Sequence, residues 1–151
     1  MSLKAHIHEF REMLLESPFY HVFGVAESRL GPGVDDHIVS IDGYSCIRQD
    51  RNTEGGGIIL YVRSTLKAKV LACSYICVSG KPLKPEYIMC SIWDDNSPPV
   101  FVFLVYRPPK IAFNADPIFV SNFRDLSSDF SHKIIMREFN ADILTDEIFR
   151  V

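Results

Sequence analysis

No stretch of this chain approaches the ~18 consecutive apolar residues that a membrane-spanning helix needs. Its mean hydropathy of +0.06 is nevertheless slightly apolar for 151 residues. Cys46, Cys73, Cys77 and Cys90 form no C-x-x-C pair and sit singly in apolar stretches, which predicts buried free thiols in a reducing compartment. There is no N-x-S/T sequon, and the start "MSLKAHIHEF" lacks the apolar core of a secretory signal, so an intracellular protein is expected. Neither sign of charge dominates: 16 Lys and Arg against 19 Asp and Glu leave a formal −3. Such a surface is no general trap for polyanions, and any nucleic-acid contact must be local or bridged by a metal ion. The histidines are scattered, and His6 and His8 lie two apart, unlike a helical zinc pair. Ser28, Asp36 and His37 do not form a nucleophile elbow. "EGGGIIL" precedes a strand and lacks the Lys-Ser/Thr and helix of a phosphate-cradling loop, so it reads as a turn. No internal repeat or low-complexity segment is present.

A hydrophobic content of 47% and an aromatic content of 12% exclude a disordered chain, and the length suits one ordinary domain. Residues 3–16 place Leu3, Ile7, Phe10, Met13 and Leu14 at helical spacing, and Pro18 ends that helix. "YHVFGVAE" (20–27) reads as a strand buried on both faces, followed by the Gly/Pro-rich loop "SRLGPGVDD". Apolar runs at 44–49, 57–63, 67–78, 86–93 and 100–107, separated by short turn signals, predict an antiparallel meander. Residues 116–130 read as a helix with a proline near its start, and 132–139 as one more buried strand. Helix, strand, meander, helix, strand is an α+β order. Arg48, Arg51, Arg63, Lys67 and Lys69 offer one basic neighbourhood, and Lys81, Lys84, Arg107 and Lys110 another.

Two apolar strands each end in a carboxylate, Glu27 after "VFGVA" and Glu138 after "KIIM". Strands emerging at one sheet edge would bring the two carboxylates together with the amide of Asn140 in "MREFNADIL" as a hard oxygen site of the kind Mg²⁺ accepts. Strands often end in something polar, so spacing leaves the polar-turn reading open. "VYRPP" (105–109) sets Tyr106 and Arg107 at a rigid double-proline exit, where both could hydrogen-bond a phosphate oxygen or simply form an exposed edge.

Taken in order, "VFGVAESRL", "GYSCIRQDRNTEGGGIILYVRSTL", "VFVFLVYRPP" and "IIMREFNADIL" resemble the endonuclease/exonuclease/phosphatase superfamily. They are most similar to the AP-endonuclease-like nicking domain of non-LTR retrotransposons. The resemblance spans nearly the whole chain. It implies a single, incomplete domain over 1–151, part of a deoxyribonuclease-I-like four-layered α/β sandwich, with the family's first strand and C-terminal strands outside the sequence. Uncovered apolar sheet faces, and with them aggregation, are then expected. Also implied are phosphodiester hydrolysis with Mg²⁺ or Mn²⁺, DNA as partner, a reverse transcriptase domain in the parent element, and a nuclear place of work.

Carried over residue by residue, the resemblance makes Glu27 a metal ligand and sets Tyr106 on the scissile phosphate or its transition state. Glu138 would orient or deprotonate the attacking water, and Asn140 would hold a phosphate oxygen. Asp142 and Arg107 would be supporting or substrate-binding residues. The family's "GDFN" is altered here, because Arg137-Glu138 replaces Gly-Asp. Glutamate keeps the charge but moves the carboxylate by about 1–1.5 Å, and a misplacement of ~1 Å can cost ~10²-fold in rate. The arginine is expected to set a cation beside the metal ligands. Impaired nicking activity follows, with a non-catalytic binding or structural domain as the alternative and a small-phosphoester phosphatase as a third reading.

Overall fold

The computed structural model describes residues 2–16, 19–74, 84–109, 111 and 117–138. Helix α1 (Leu3–Glu16) opens the chain, with Leu3, Ile7 and Leu14 buried on one stripe. Strand β1 (Val22–Ala26), a short helix α2 (Asp36–Val39), β2 (Tyr44–Gln49) and β3 (Ile58–Arg63) follow. Next come β4 (Lys67–Cys73), β5 (Glu86–Trp93), β6 (Val100–Tyr106), helix α3 (Pro117–Ser127) and β7 (Lys133–Glu138). The helix α2 was not predicted; its one turn hides behind the Gly/Pro-rich loop signal.

The strands form two sheets, β1-β3-β2 and β4-β5-β6-β7. All pairs are antiparallel except β6 with β7, and α3 is the crossover that a parallel pair requires. The expected single meander is therefore split, because the chain changes sheets between β3 and β4. Side-chain alternation then sorts residues into layers. Ile58, Leu60 and Val62 of β3 pack with Ile88, Cys90 and Ile92 of β5 and Val102, Leu104 and Tyr106 of β6 between the sheets. Ile59 and Tyr61 face Leu3, Ile7, Leu14 and Val39 of the first helical layer. Tyr87, Met89, Phe101, Phe103 and Val105 face Phe119 of α3. The result is a four-layered α/β/β/α sandwich, as the sequence predicted.

Two strands depart from expectation. β1 is an edge strand of half-buried residues, and β7 is an edge strand with Ile134 and Ile135 half exposed; a continuous apolar run was read as burial on both faces. Among the described thiols only Cys90 is buried, with its pKa pushed up to about 12 by desolvation first, while Cys46 is half-buried and Cys73 exposed. Cys77 lies outside the described residues.

Gly24 sets how closely the sheets approach. A Cβ built there would fall 2.6 Å from Leu104 Cδ1, so the leucine fills the space a side chain would take. Gly24→Val is expected to destabilise by about 1–3 kcal/mol through overpacking. Urea unfolding of Gly24→Val, Leu104→Ala and the double variant should show a favourable coupling; strict additivity would refute the contact.

Candidate active site

The carboxyl ends of β1, β2, β6 and β7 and the amino ends of β3 and β5 all lie at one end of the sandwich. Ala26 pairs with Ile58, and Ile58 with Gln49. In the second sheet Glu86 pairs with Tyr106, and Tyr106 with Glu138. Register thus brings Glu86, Tyr106 and Glu138 to one end of the second sheet, and hydrogen bonds between the sheets, Tyr106 to Glu27 and Gly57 to Glu86, set Glu27 at the same rim.

Glu27 leaves β1 in a left-handed conformation at φ 53°, and Arg29 repeats it at φ 52°, a strained state for non-glycine residues. Across the gap between the sheets, the Tyr106 hydroxyl donates a hydrogen bond to Glu27 Oε1. Arg29 Nη2 approaches Glu27 Oε2 at 3.5 Å. The Tyr106 bond, the largest cause, holds the Glu27 carboxyl below its ordinary 4.5 against desolvation, with the nearby arginine adding to the lowering. Burial, the bond to Glu27 and its charge together push the Tyr106 phenol up. Two buried donors at this turn, Ser28 Oγ and Arg29 Nε, have no hydrogen-bond partner among the described residues.

Glu138 stands in register beside Tyr106, and in-register residues of neighbouring strands share a face. Its carboxyl is raised by desolvation and then by the charge of Glu27. The residue is open to solvent, so the second cause is the one that reports proximity. Arg137 has the opposite parity and pairs with Val105 of the α3-facing core. It therefore lies on the other face of the sheet, which corrects the expectation of a cation beside the metal ligands. Arg107 donates its backbone N–H to the Glu138 carbonyl at 2.8 Å, fixing the β6 exit to the β7 end. Asn140 and Asp142 lie outside the described residues.

Glu86 and Arg51 are what sequence reasoning missed. Glu86 opens β5 yet is 4% exposed, and Arg51 is 8% exposed. Arg51 Nη1 donates to Glu86 Oε1 at 2.7 Å, and Gly57 N donates to Oε2 at 2.7 Å. Burial raises the Glu86 carboxyl and Arg51 opposes it; the negative charge of Glu27 adds to the rise. Nor is there one basic neighbourhood around Arg51: Arg48 is paired with Asp36 and Asp50, Lys67 with Asp95, and Arg63 lies near the Tyr44 ring at the far end of the sheet. Of the second neighbourhood, Lys81 and Lys110 lie outside the described residues.

No three His, Cys, Asp or Glu side chains cluster among the described residues. Glu27 and Glu138 are within electrostatic reach of each other. Mg²⁺ is commonly held by one or two carboxylates while keeping several waters, and a carboxylate has about four acceptor positions. The Tyr106 bond therefore leaves Glu27 able to bind, and the donor set fits such an ion.

No protein-family model and no curated protein matches the chain. Among solved structures, the human Nocturnin catalytic domain with bound sulfate anion is similar at a TM-score of 0.64 and 12% sequence identity. The fold is deoxyribonuclease-I-like, the architecture it shares with that neighbour. The match covers 92% of this chain and 58% of the Nocturnin chain, so this chain spans little more than half of that neighbour's length. At that identity the likeness is one of architecture. Among the described residues no helix is long and apolar enough to cross a membrane.

A carboxylate held below 4.5 contributes stability that is complete above that pH and lost as the pH falls through the folded value. Tyr106→Phe removes the largest cause, so the Glu27 midpoint should move up toward 4.5, and acidification should cost the variant less; an unchanged midpoint by NMR titration would refute the bond. Glu86→Gln leaves Arg51 buried without its counter-charge and should cost about 3–5 kcal/mol in chemical denaturation. Lys67→Ala, at an exposed pair, should cost less than about 1 kcal/mol.

Proposed function

We propose that this chain is a retroelement-derived endonuclease domain whose chemistry is phosphodiester hydrolysis on DNA with Mg²⁺ or Mn²⁺, working below the rate of a site with the unaltered motif. The observation that carries this reading is the Tyr106–Glu27 contact between the sheets, with Glu138 in register beside it. An ordinary polar strand end gives no reason for a buried-sided tyrosine to hold a carboxylate 79 residues away in sequence. Sulfate is bound in the Nocturnin structure; it has the shape and charge of a phosphate group, which supports a phosphate ligand in this architecture.

A divalent ion held by Glu27 would act as a Lewis acid and lower the pKa of a bound water. Tyr106 fixes the Glu27 carboxylate through Oε1, while Oε2, 3.5 Å from Arg29 Nη2, keeps acceptor positions for the ion. Glu138, whose raised pKa reflects a higher affinity for protons, would orient the attacking water and accept its proton. That water adds to phosphorus in line with the departing sugar oxygen. Asn140 would hold a phosphate oxygen, with Asp142 and Arg107 in support. DNA is the partner on this reading, a reverse transcriptase domain would accompany it in the parent element, and the nucleus is the place of action.

The altered Arg137-Glu138 pair favours a second reading, a non-catalytic binding domain. Nicking of supercoiled plasmid with Mg²⁺ separates them. Activity should be weak, disappear in Glu27→Gln, and rise by up to ~10²-fold in Glu138→Asp, which withdraws the extra methylene. Arg137→Gly, on the opposite face, should change it little. Absence of nicking by both the natural chain and Glu138→Asp at high protein concentration would leave only the binding reading. Hydrolysis of a chromogenic phosphoester without nicking would instead indicate a phosphatase.

A further inference from the structure

Glu27 is held in a backbone conformation that its own residue type does not favour, and something must pay for that strain. The turn after it is tied to a second turn: Ser28 N donates to Gly57 O at 3.0 Å and Arg29 N to Gly56 O at 2.9 Å. Gly56 and Gly57 are themselves left-handed, at φ 72° and 79°, a conformation glycine adopts without penalty. Behind them lies the buried ion pair. Arg51 spans the turn, with Nε donating to Gly55 O at 2.7 Å and Nη1 to Glu86 Oε1 at 2.7 Å. Glu86 closes the loop by accepting from Gly57 N at 2.7 Å.

Packing makes this arrangement rigid. A Cβ on Gly56 would lie 2.2 Å from Arg51 Cζ, and one on Gly57 would lie 2.5 Å from Ser28 Oγ. The guanidinium therefore occupies the place of the missing Gly56 side chain, and the Ser28 hydroxyl that of Gly57. The three glycines are pressed between a buried cation on one side and the Glu27 turn on the other.

We propose that Arg51 and Glu86 are positioning residues for Glu27, acting through the Gly55-Gly56-Gly57 turn without touching Glu27 themselves. The forked guanidinium and the two carboxylate oxygens set that turn; its carbonyls set the Ser28 and Arg29 amides; these fix Glu27 where Tyr106 reaches it. A buried ion pair is a poor device for stability alone, since matched apolar residues do as well or better. A planar fork that must meet a carbonyl and a carboxylate at once is a good device for geometry. As a statement about catalysis this rests on the nuclease reading above; as a statement about the Glu27 turn it does not.

Two charge-conserving variants test it, so that no uncompensated ion is left in the core: Arg51→Lys, which loses the fork, and Glu86→Asp, which withdraws the carboxylate from both donors. In the natural chain and in each variant, amide hydrogen exchange and the Tyr106 Cζ resonance at neutral pH are measured by NMR, with Glu27→Gln as the reference for an altered Tyr106 acceptor. The expected result is a loss of protection of ~10-fold or more confined to Ser28, Arg29 and Gly57, with Leu104 and its β6 neighbours unchanged. The Tyr106 resonance should move toward its Glu27→Gln position. A uniform loss of protection, or an unmoved Tyr106 resonance in whichever variant folds, would reduce Arg51 and Glu86 to a structural pair and overturn the proposal. Neither readout needs turnover, so failure to nick DNA sinks the nuclease reading and leaves this one standing, and the reverse holds equally.

Discussion

The bond from Tyr106 to Glu27 joins the end of one sheet to the end of the other, and much of the architecture is a condition for it. Packed sheets stand roughly 10 Å apart, and only a long side chain at a strand end can cross that space. β6 supplies one, and its inward face is fixed by Val102 and Leu104 in the same row. β1 can come near only because Gly24 yields its place to Leu104. The chain then has to turn immediately, and the left-handed Glu27 is the cost of turning there. α1 contributes too, since Leu3 N donates to Ser28 O at 3.0 Å and anchors the turn from the helical side.

Three glutamates stand along this rim without gathering into one cluster, and the fold treats each differently. Glu86 is sunk in the core and neutralised by Arg51 and a backbone amide. Glu27 is half-buried, kept ionised by Tyr106 and Arg29. Glu138 stands at the open edge with a raised affinity for protons. Environments that push like groups apart in pKa divide labour among them: one braces, one is a standing anion, and one can exchange a proton with solvent.

The strands were legible in the sequence because each carries a short apolar run bounded by clear turn signals, whereas the single turn of α2 was not. What was not legible is which sheet each strand joins. Alternation reports faces, not neighbours, so a break between β3 and β4 looks like any other hairpin turn. Apolar runs were also ambiguous: β3, β5 and β6 are buried on both sides, whereas β1 and β7, read as buried by the same signal, lie at edges. At the site, Glu27 and Tyr106 could be named from the resemblance, and the fold brings them into contact. Glu86 and Arg51 could not, for a glutamate opening a strand and an arginine in a polar turn both imitate the surface. The one available signal was "GGG" four residues after Arg51, three positions without side chains that leave room for a guanidinium to lie flat.

Strand parity decides how the altered motif should be weighed. Arg137 was the more conspicuous change, a cation in place of glycine, yet it pairs with Val105 and belongs to the face that α3 covers. Glu138 is the milder substitution on paper and stands on the Tyr106 face, where distance matters. A charge on the far side of a sheet acts weakly through the packed strands between, whereas an added methylene acts directly on the position of the carboxylate that the proposed mechanism sets on the water. Charge at the rim is thus preserved and reach is what differs. On this geometry the two residues do not weigh equally: under the proposed function, activity lost at this motif would be lost through the length of one side chain.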